Sequence, residues 1–409
     1  MLKGNAVVGQ SGGPTSAINA TLAGVISGCA KAHNDGIINT LYGMRNGIEG
    51  FLQESFVDLG EKFFDDEWIE DLSNTPAAAL GSCRRKLKSH TEDASTYEKM
   101  LEIFKKYDIR YFFYIGGNDS MDTVLKLSEY AKSHNYPMKV VGVPKTIDND
   151  LMATDHTPGF GSAAKFVATT VKEILRDVNV YTVKAVTIVE IMGRDAGWLT
   201  AASALPSLTG DAPDLIYLPE KIFDTEKFIA SLKEIMEKKS AVLVCVSEGI
   251  RFADGEYVGS GSQSGAVDVF GHKYLSGTGK VLESIVKERL GCKVRSIELS
   301  LPQRCAAHIS SLTDIEESIG VGSAAVAFAT EGNTGVMATI ERNDAEEYSV
   351  SYGIADIGTI ANEIKTVPDE YINSEANGIT EEGIKYLAPL IKGERDVKYE
   401  FGLPKHIVI

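Results

Sequence analysis

Short runs rich in β-branched residues, several of them continuously apolar, recur along this chain, and each leads into a glycine-containing turn and then a segment of helical length. The clearest are Ala6-Val7-Val8, Tyr111 to Ile115, Lys139 to Val143, Ala185 to Ile191, Leu215 to Leu218 and Ala241 to Val246. A run without polar alternation suits a strand covered on both faces. Between the runs, Ser120 to Lys132, Ile222 to Lys238 and Lys280 to Leu290 have the length of helices. In the first of these Val124, Leu125, Leu127 and Ala131 fit one buried face. Strands and helices alternating in this way predict an α/β fold with a largely parallel sheet. The tail differs. Gly335 to Ile340 and Tyr348 to Ser351 read as a hairpin pair split by Glu341-Arg342-Asn343-Asp344, and after about Asp369 the chain is polar and mixed. The patch Gly259 to Gly265 reads as a flexible surface loop, with a lid as the second reading. At 409 residues the chain has room for two or three domains or one large two-lobed unit, and no linker marks a boundary.

Charge and cysteine usage narrow the function classes. Asp plus Glu outnumber Lys plus Arg by 57 to 41, a net charge of −16, which argues against nucleic acid as the main partner. Small anionic substrates remain open, because a few inward-facing cations suffice for them. Cys29, Cys83, Cys245, Cys292 and Cys305 are odd in number and lack C-x-x-C spacing, so neither a disulfide framework nor a zinc site is expected. The start of the chain lacks the flanks of a signal peptide, and no apolar stretch approaches the length of a membrane span. The simplest compartment is a reducing cytoplasm.

In doubly wound folds ligands bind beyond the carboxyl ends of the strands, and there the sequence is unusual. Gly9-Gln10-Ser11-Gly12-Gly13 after the first strand is either a phosphate cradle or a tight strand–helix turn. Gly116-Gly117-Asn118-Asp119-Ser120 opens a helix after the strongest strand, where cap residues and a binding turn look alike. Pro144-Lys145-Thr146-Ile147-Asp148-Asn149-Asp150 is the densest polar cluster. If the segment is extended, Asp148 and Asp150 face the same side, which suits a base with a second carboxylate. Met192-Gly193-Arg194, Ser247-Glu248-Gly249 and Gln303-Arg304 end further strand segments and read together as a polar pocket. The basic run Arg84 to Lys88 after Gly81-Ser82-Cys83 reads as a solvated face or as a polyphosphate clamp.

Taken in order, Ser11-Gly12-Gly13, Gly81 to Arg84, Gly116 to Ser120, Pro144 to Asp150, Met192 to Arg194, Glu248 and Gln303-Arg304 resemble the phosphofructokinase family over roughly the first three quarters of the chain. ATP-using members carry Gly-Gly-Asp-Gly-Ser and a glycine before Thr-Ile-Asp-Asn-Asp. Here Asp119 and Lys145 stand at those two glycines, a pattern similar to the pyrophosphate-dependent branch. A carboxylate at position 119 would repel an α-phosphate. Two like charges about 4 Å apart cost on the order of 4 kcal/mol at an effective dielectric near 20.

The resemblance implies two Rossmann-like three-layer lobes: a donor lobe of residues 1–159 plus about 303–355, and a sugar-phosphate lobe of 160–302 plus about 356–409. It implies Mg²⁺-dependent, reversible phosphoryl transfer from pyrophosphate to the 1-hydroxyl of fructose 6-phosphate, in glycolysis or gluconeogenesis. Asp148 is then the base, supported by Lys145, Asp119, Thr146 and Asp150. Gly12, Gly13, Arg84, Gly117, Asn118, Asp119 and Lys145 bind pyrophosphate. Thr146, Ile147, Asp148, Met192, Gly193, Arg194, Glu248, Arg295 and Arg304 bind the sugar phosphate, and Asn118 and Asp119 face the metal. A homodimer or homotetramer with shared active sites is implied, without nucleic acid or membrane. Three positions depart from the family pattern: Asn118 in place of a metal-linked Asp, Leu301 in place of a His, and Ala185, beside Lys184, in place of an Arg. An ATP-dependent enzyme, a non-catalytic regulatory subunit and a sedoheptulose 7-phosphate kinase using pyrophosphate are the alternatives.

Overall fold

The computed structural model describes residues 2–83, 85–180, 182–262, 277–360 and 363–409. Two sheets organise the chain. The first carries β1 (Gly4–Gln10), β2 (Ile38–Met44), β3 (Phe56–Asp58), β4 (Ile109–Gly116), β5 (Lys139–Pro144), β10 (Val336–Arg342) and β11 (Val350–Asp356), in the order β11-β10-β5-β4-β1-β2-β3. The five inner strands are parallel, and the edges β3 and β11 run antiparallel. The second sheet is parallel throughout, with β6 (Ala185–Ile191), β7 (Leu215–Tyr217), β8 (Ala241–Ser247) and β9 (Lys293–Glu298) in the order β7-β8-β6-β9. The expected tail hairpin is present as β10 and β11, and β10 also pairs with β5.

The continuous apolar runs are explained by two-sided burial. Ala6 and Val8 of β1, Tyr111, Phe113 and Ile115 of β4, and Val141 and Val143 of β5 pack on one face with the helices Ile18–Asn34 and Leu312–Glu331. Val7, Phe112, Tyr114 and Val140 point the other way, against Ala94–Lys106 and Asn118–Ser133. In the second sheet Val189, Ile191, Leu243 and Cys245 face the helix Phe160–Val178. Val186, Ile188, Val242, Val244 and Val246 face Thr225–Lys238 and Thr278–Leu290. A period of two thus feeds two apolar layers per sheet, and the expected α/β, three-layer architecture holds for both lobes.

The helices Ile18–Asn34 and Leu312–Glu331 cross through glycine. A β-carbon on Gly24 would stand 2.1 Å from Ile319 O, and one on Gly322 would stand 2.3 Å from Thr21 O. Backbone cannot yield as a side chain tip can. Gly24→Ala therefore destabilises the protein by about 1–3 kcal/mol despite alanine's better helix propensity, read as a lower thermal midpoint.

The chain after β11 serves both sheets. Val367, Ile372, Leu387 and Leu390 enter the core beside Phe160–Val178. The last residues return to the first sheet: Arg395 bonds Ser73 and Asn74, Lys405 pairs with Asp71, and Arg45 donates to Ile409 O.

Candidate active site

The carboxyl ends of β1, β4 and β5 meet those of β6 and β8, and the singled-out loops gather there. Main-chain bonds weld three of them together. Ser11 N donates to Ile115 O at 2.9 Å, and Lys145 N donates to Gly116 O at 3.1 Å. Gly12 adopts a φ of 75°, the left-handed region that glycine enters freely. The Lys145 side chain, 3% exposed, donates from Nζ to Gly13 O at 2.6 Å. A β-carbon on Gly13 would lie 3.5 Å from Arg304 Nη1. Gly12, Gly13, Lys145 and Arg304 thus share one place. Gln10 and Asn19 hold the next loop from below: Gln10 accepts from Leu80 N, and Asn19 accepts from Ala79 N and donates to Thr75 O. Ser82 Oγ then donates to Gly12 O at 2.7 Å. Arg84 lies outside the described residues.

Gly117 opens the helix Asn118–Ser133, with Ser120 N and Met121 N donating to its carbonyl. Asp119 pairs with Lys86 at 3.2 Å, so the basic run supplies a partner to this turn. Asn118 Oδ1 is buried without a hydrogen-bond partner. Among the described residues no group of three or more His, Cys, Asp and Glu converges as a metal cage. One orphaned amide oxygen beside one carboxylate fits a hard cation that completes its shell with water and phosphate oxygens.

The loop after β5 is not extended. Asn149 has a φ of 54°, so the chain bends between the two aspartates and strand alternation does not place them. Thr146 does. Its Oγ1 accepts from Asp148 N at 3.1 Å and bonds the Asp150 carboxylate. Thr146 itself is anchored by Thr157 Oγ1 donating to its carbonyl. The Ile147 side chain is buried in the core beside Phe160–Val178. Asp148 is part-buried. Desolvation, then Asp150 and Glu248, push its carboxyl up to about 7, against the pull of Lys145 and Arg194. Residues from both sheets therefore converge on one carboxyl group.

From the second sheet, Gly193 N donates to Glu248 Oε1 at 3.3 Å, and Glu248 N donates to Ile191 O at 3.0 Å. Gln303, 1% exposed, accepts from Met192 N at 3.2 Å. Arg194 Nε is buried without a partner, a donor placed where an anionic group would satisfy it. Arg295 is not part of this gathering. It lies exposed on β9 opposite Thr187, five residues before Met192 on the neighbouring strand, or about 17 Å along it. There it lines a separate cavity of about 110 Å³ with Val183, Ala185 and Lys293. Lys184 is exposed at the same strand end, and Leu301 is exposed at the start of the short helix Pro302–Cys305. Of the Gly259–Gly265 patch, residues 263–265 lie outside the described residues.

Two features had no signal in the sequence reading. Lys365 and Tyr386 both bond Asn149 from the C-terminal part of the chain. Glu190 accepts from Gly279 N at 2.7 Å, and burial raises its carboxyl to about 7.

A family model described as phosphofructokinase matches residues 5–329. A pyrophosphate–fructose 6-phosphate 1-phosphotransferase of Xanthomonas campestris pv. campestris is 44% identical over 411 residues, covering 100% of this chain and 96% of the relative. One of the same name from Halomonas elongata is 41% identical over 408 residues, covering 99% and 96%. The crystal structure of a pyrophosphate-dependent phosphofructokinase from Nitrosospira multiformis superposes with a TM-score of 0.88 at 40% identity, covering 99% of this chain and 96% of that one.

Proposed function

The chain belongs to the phosphofructokinase family, and from that premise we propose that it catalyses reversible, Mg²⁺-dependent phosphoryl transfer from pyrophosphate to the 1-hydroxyl of fructose 6-phosphate. The products are fructose 1,6-bisphosphate and orthophosphate. The observation that carries this reading is the convergence of Lys145, Asp150, Arg194 and Glu248 on Asp148 at the meeting of two sheets.

Asp148 takes the proton of the 1-hydroxyl as that oxygen bonds the transferring phosphorus and orthophosphate departs. Its raised proton affinity suits a base working near neutrality. Phosphoryl transfer depends mostly on positioning and charge stabilisation, so Thr146 and Asp150 act by orienting Asp148. Lys145, Gly12, Gly13, Gly117 and Arg84 hold the donor. Asn118 and Asp119 would hold Mg²⁺, which when bound supplies charge neutralisation at the phosphoryl oxygens. The Asp119 carboxylate beside the donor turn disfavours the α-phosphate of a nucleotide. Met192, Gly193, Arg194, Glu248 and Arg304 line the sugar-phosphate side. The place of Arg295 on β9, apart from the gathered loops, supports a role at a neighbour's site, hence a homodimer or homotetramer. The donor lobe is built on the first sheet and the sugar-phosphate lobe on the second, with changes of lobe near residues 159, 303 and 355. Among the described residues no helix is long and apolar enough to cross a membrane. Five unpaired cysteines fit the cytoplasm.

The test is a coupled assay for fructose 1,6-bisphosphate with fructose 6-phosphate and Mg²⁺. Turnover with pyrophosphate and none with ATP is expected. Turnover with ATP alone overturns the donor assignment, and silence with both overturns the sugar.

A further inference from the structure

A part-buried lysine ammonium packs against the Asp148–Asp150 loop, and none of the catalytic roles given above falls to it. Lys365 follows β11 and lies 216 residues from Asn149 in sequence. Its Nζ donates to Asp155 O at 2.6 Å, Thr154 O at 3.1 Å and Asn149 Oδ1 at 3.4 Å. Its backbone N donates to Asp150 O at 2.9 Å. The Trp198 ring covers it, 5.4 Å from Nζ to centroid, and Trp198 Nε1 donates to Lys365 O at 2.9 Å. Asn149 is fully buried with its φ at 54°, a backbone state that persists in a non-glycine residue when its surroundings hold it. The surroundings are specific. Asn149 Nδ2 donates to Tyr386 Oη at 3.1 Å, and Tyr386 Oη donates to Asp155 O at 2.7 Å. Asp155 is fixed in turn by His156 at 2.8 Å and Arg342 at 3.0 Å.

We propose that Lys365, acting with Tyr386 through Asn149, is a positioning clamp for the aspartate pair. It locks the bend between Asp148 and Asp150, and its positive charge favours ionised Asp150. The inference rests on Asp148 being the base. The charges facing Lys365 are Asp155 and Asp150, which favour its ammonium, and Arg342, which disfavours it; His156 bonds the Asp155 carboxylate. Enclosure outweighs the carboxylates and brings the ammonium down to about 8. The clamp therefore loses its charge as pH rises past about 8, and the carboxylates then bind protons more readily.

Lys365→Met keeps the length and removes the charge. Expected is an Asp150 carboxyl titration moved up by about one pH unit and a kcat at pH 7 lower by about 10-fold. The KM for fructose 6-phosphate stays within about threefold. Tyr386→Phe keeps the ring and removes one hydroxyl. Expected is a kcat lower by about fivefold with the Asp150 titration unmoved, because the charge remains. Carbon-13 carboxyl NMR of aspartate-labelled protein reads the same titration without turnover, so it decides the clamp even if the assigned substrates fail. Unmoved carboxyl titrations in folded Lys365→Met overturn the charge role. Should that variant not fold, an unchanged kcat in Tyr386→Phe overturns the clamp.

Discussion

Asp148→Asn lowers kcat for pyrophosphate-dependent phosphorylation of fructose 6-phosphate by about 10³-fold and leaves the KM for the sugar phosphate within a few-fold. The amide keeps the shape and the bond from Asp148 N to Thr146, but it accepts no proton from the 1-hydroxyl. A kcat within tenfold of wild type would remove Asp148 from the base's role. In the wild type, kcat/KM rises with pH as the Asp148 carboxyl ionises near 7. The same substitution has an opposite effect on stability. The Asp148 carboxyl binds its proton more tightly in the folded chain than in the unfolded one, held there by desolvation and by Asp150 and Glu248. Its contribution is intact below the usual carboxylate range and is lost as pH climbs toward 7. Asparagine does not titrate. Without substrates, Asp148→Asn is therefore more stable than wild type at pH 8, by roughly 2–4 kcal/mol, and the gain disappears near about pH 4. Thermal midpoints at the two pH values check both signs.

The double change Asp119→Gly with Lys145→Gly lowers pyrophosphate-dependent kcat/KM by at least about 100-fold and makes ATP-dependent turnover measurable. Removing the Asp119 carboxylate relieves a repulsion of about 4 kcal/mol toward an α-phosphate, roughly a thousandfold in affinity. Removing Lys145 strips the cation that bonds Gly13 O beside the donor turn. Pyrophosphate has no nucleoside to anchor it, so the loss falls on the donor's own binding and on charge stabilisation during transfer. Unchanged pyrophosphate turnover would show that these two side chains do not set donor choice. The Asp119–Lys86 pair makes one further point: Asp119→Gly alone frees Lys86, so the single and double variants must be compared.

Much of the architecture was legible before any coordinates. The run Ala185 to Ile191 became β6 without a change of boundary, and the apolar run Tyr111 to Ile115 sits inside β4. These are local signals: a strand covered on both sides is mostly apolar, and a helix must bury one stripe. The position of the polar clusters at the strand ends was legible for the same reason. Gly12-Gly13, Asn118-Asp119 and the Lys145 to Asp150 block stand where a parallel sheet exposes its carboxyl ends.

Tertiary structure alone decided which of these groups meet. The bend at Asn149 replaced the expected strand alternation, because buried partners from residues 365 and 386 hold a left-handed backbone that no local pattern announces. Ile147 turned into the core of the second sheet, tying the loop after β5 to the helix Phe160–Val178. Arg295, assigned to the sugar phosphate by the resemblance, stands on β9 opposite Thr187, well before Met192 along the neighbouring strand, through the register of β9 against β6. Sequence spacing specifies what a residue can do and which way its own strand or helix turns it. The proton affinity of Asp148 depends on Asp150, Glu248, Lys145 and Arg194 brought in from two sheets. Electrostatic coupling depends on distance through space and on exclusion of water, and both come into being only when the chain has folded.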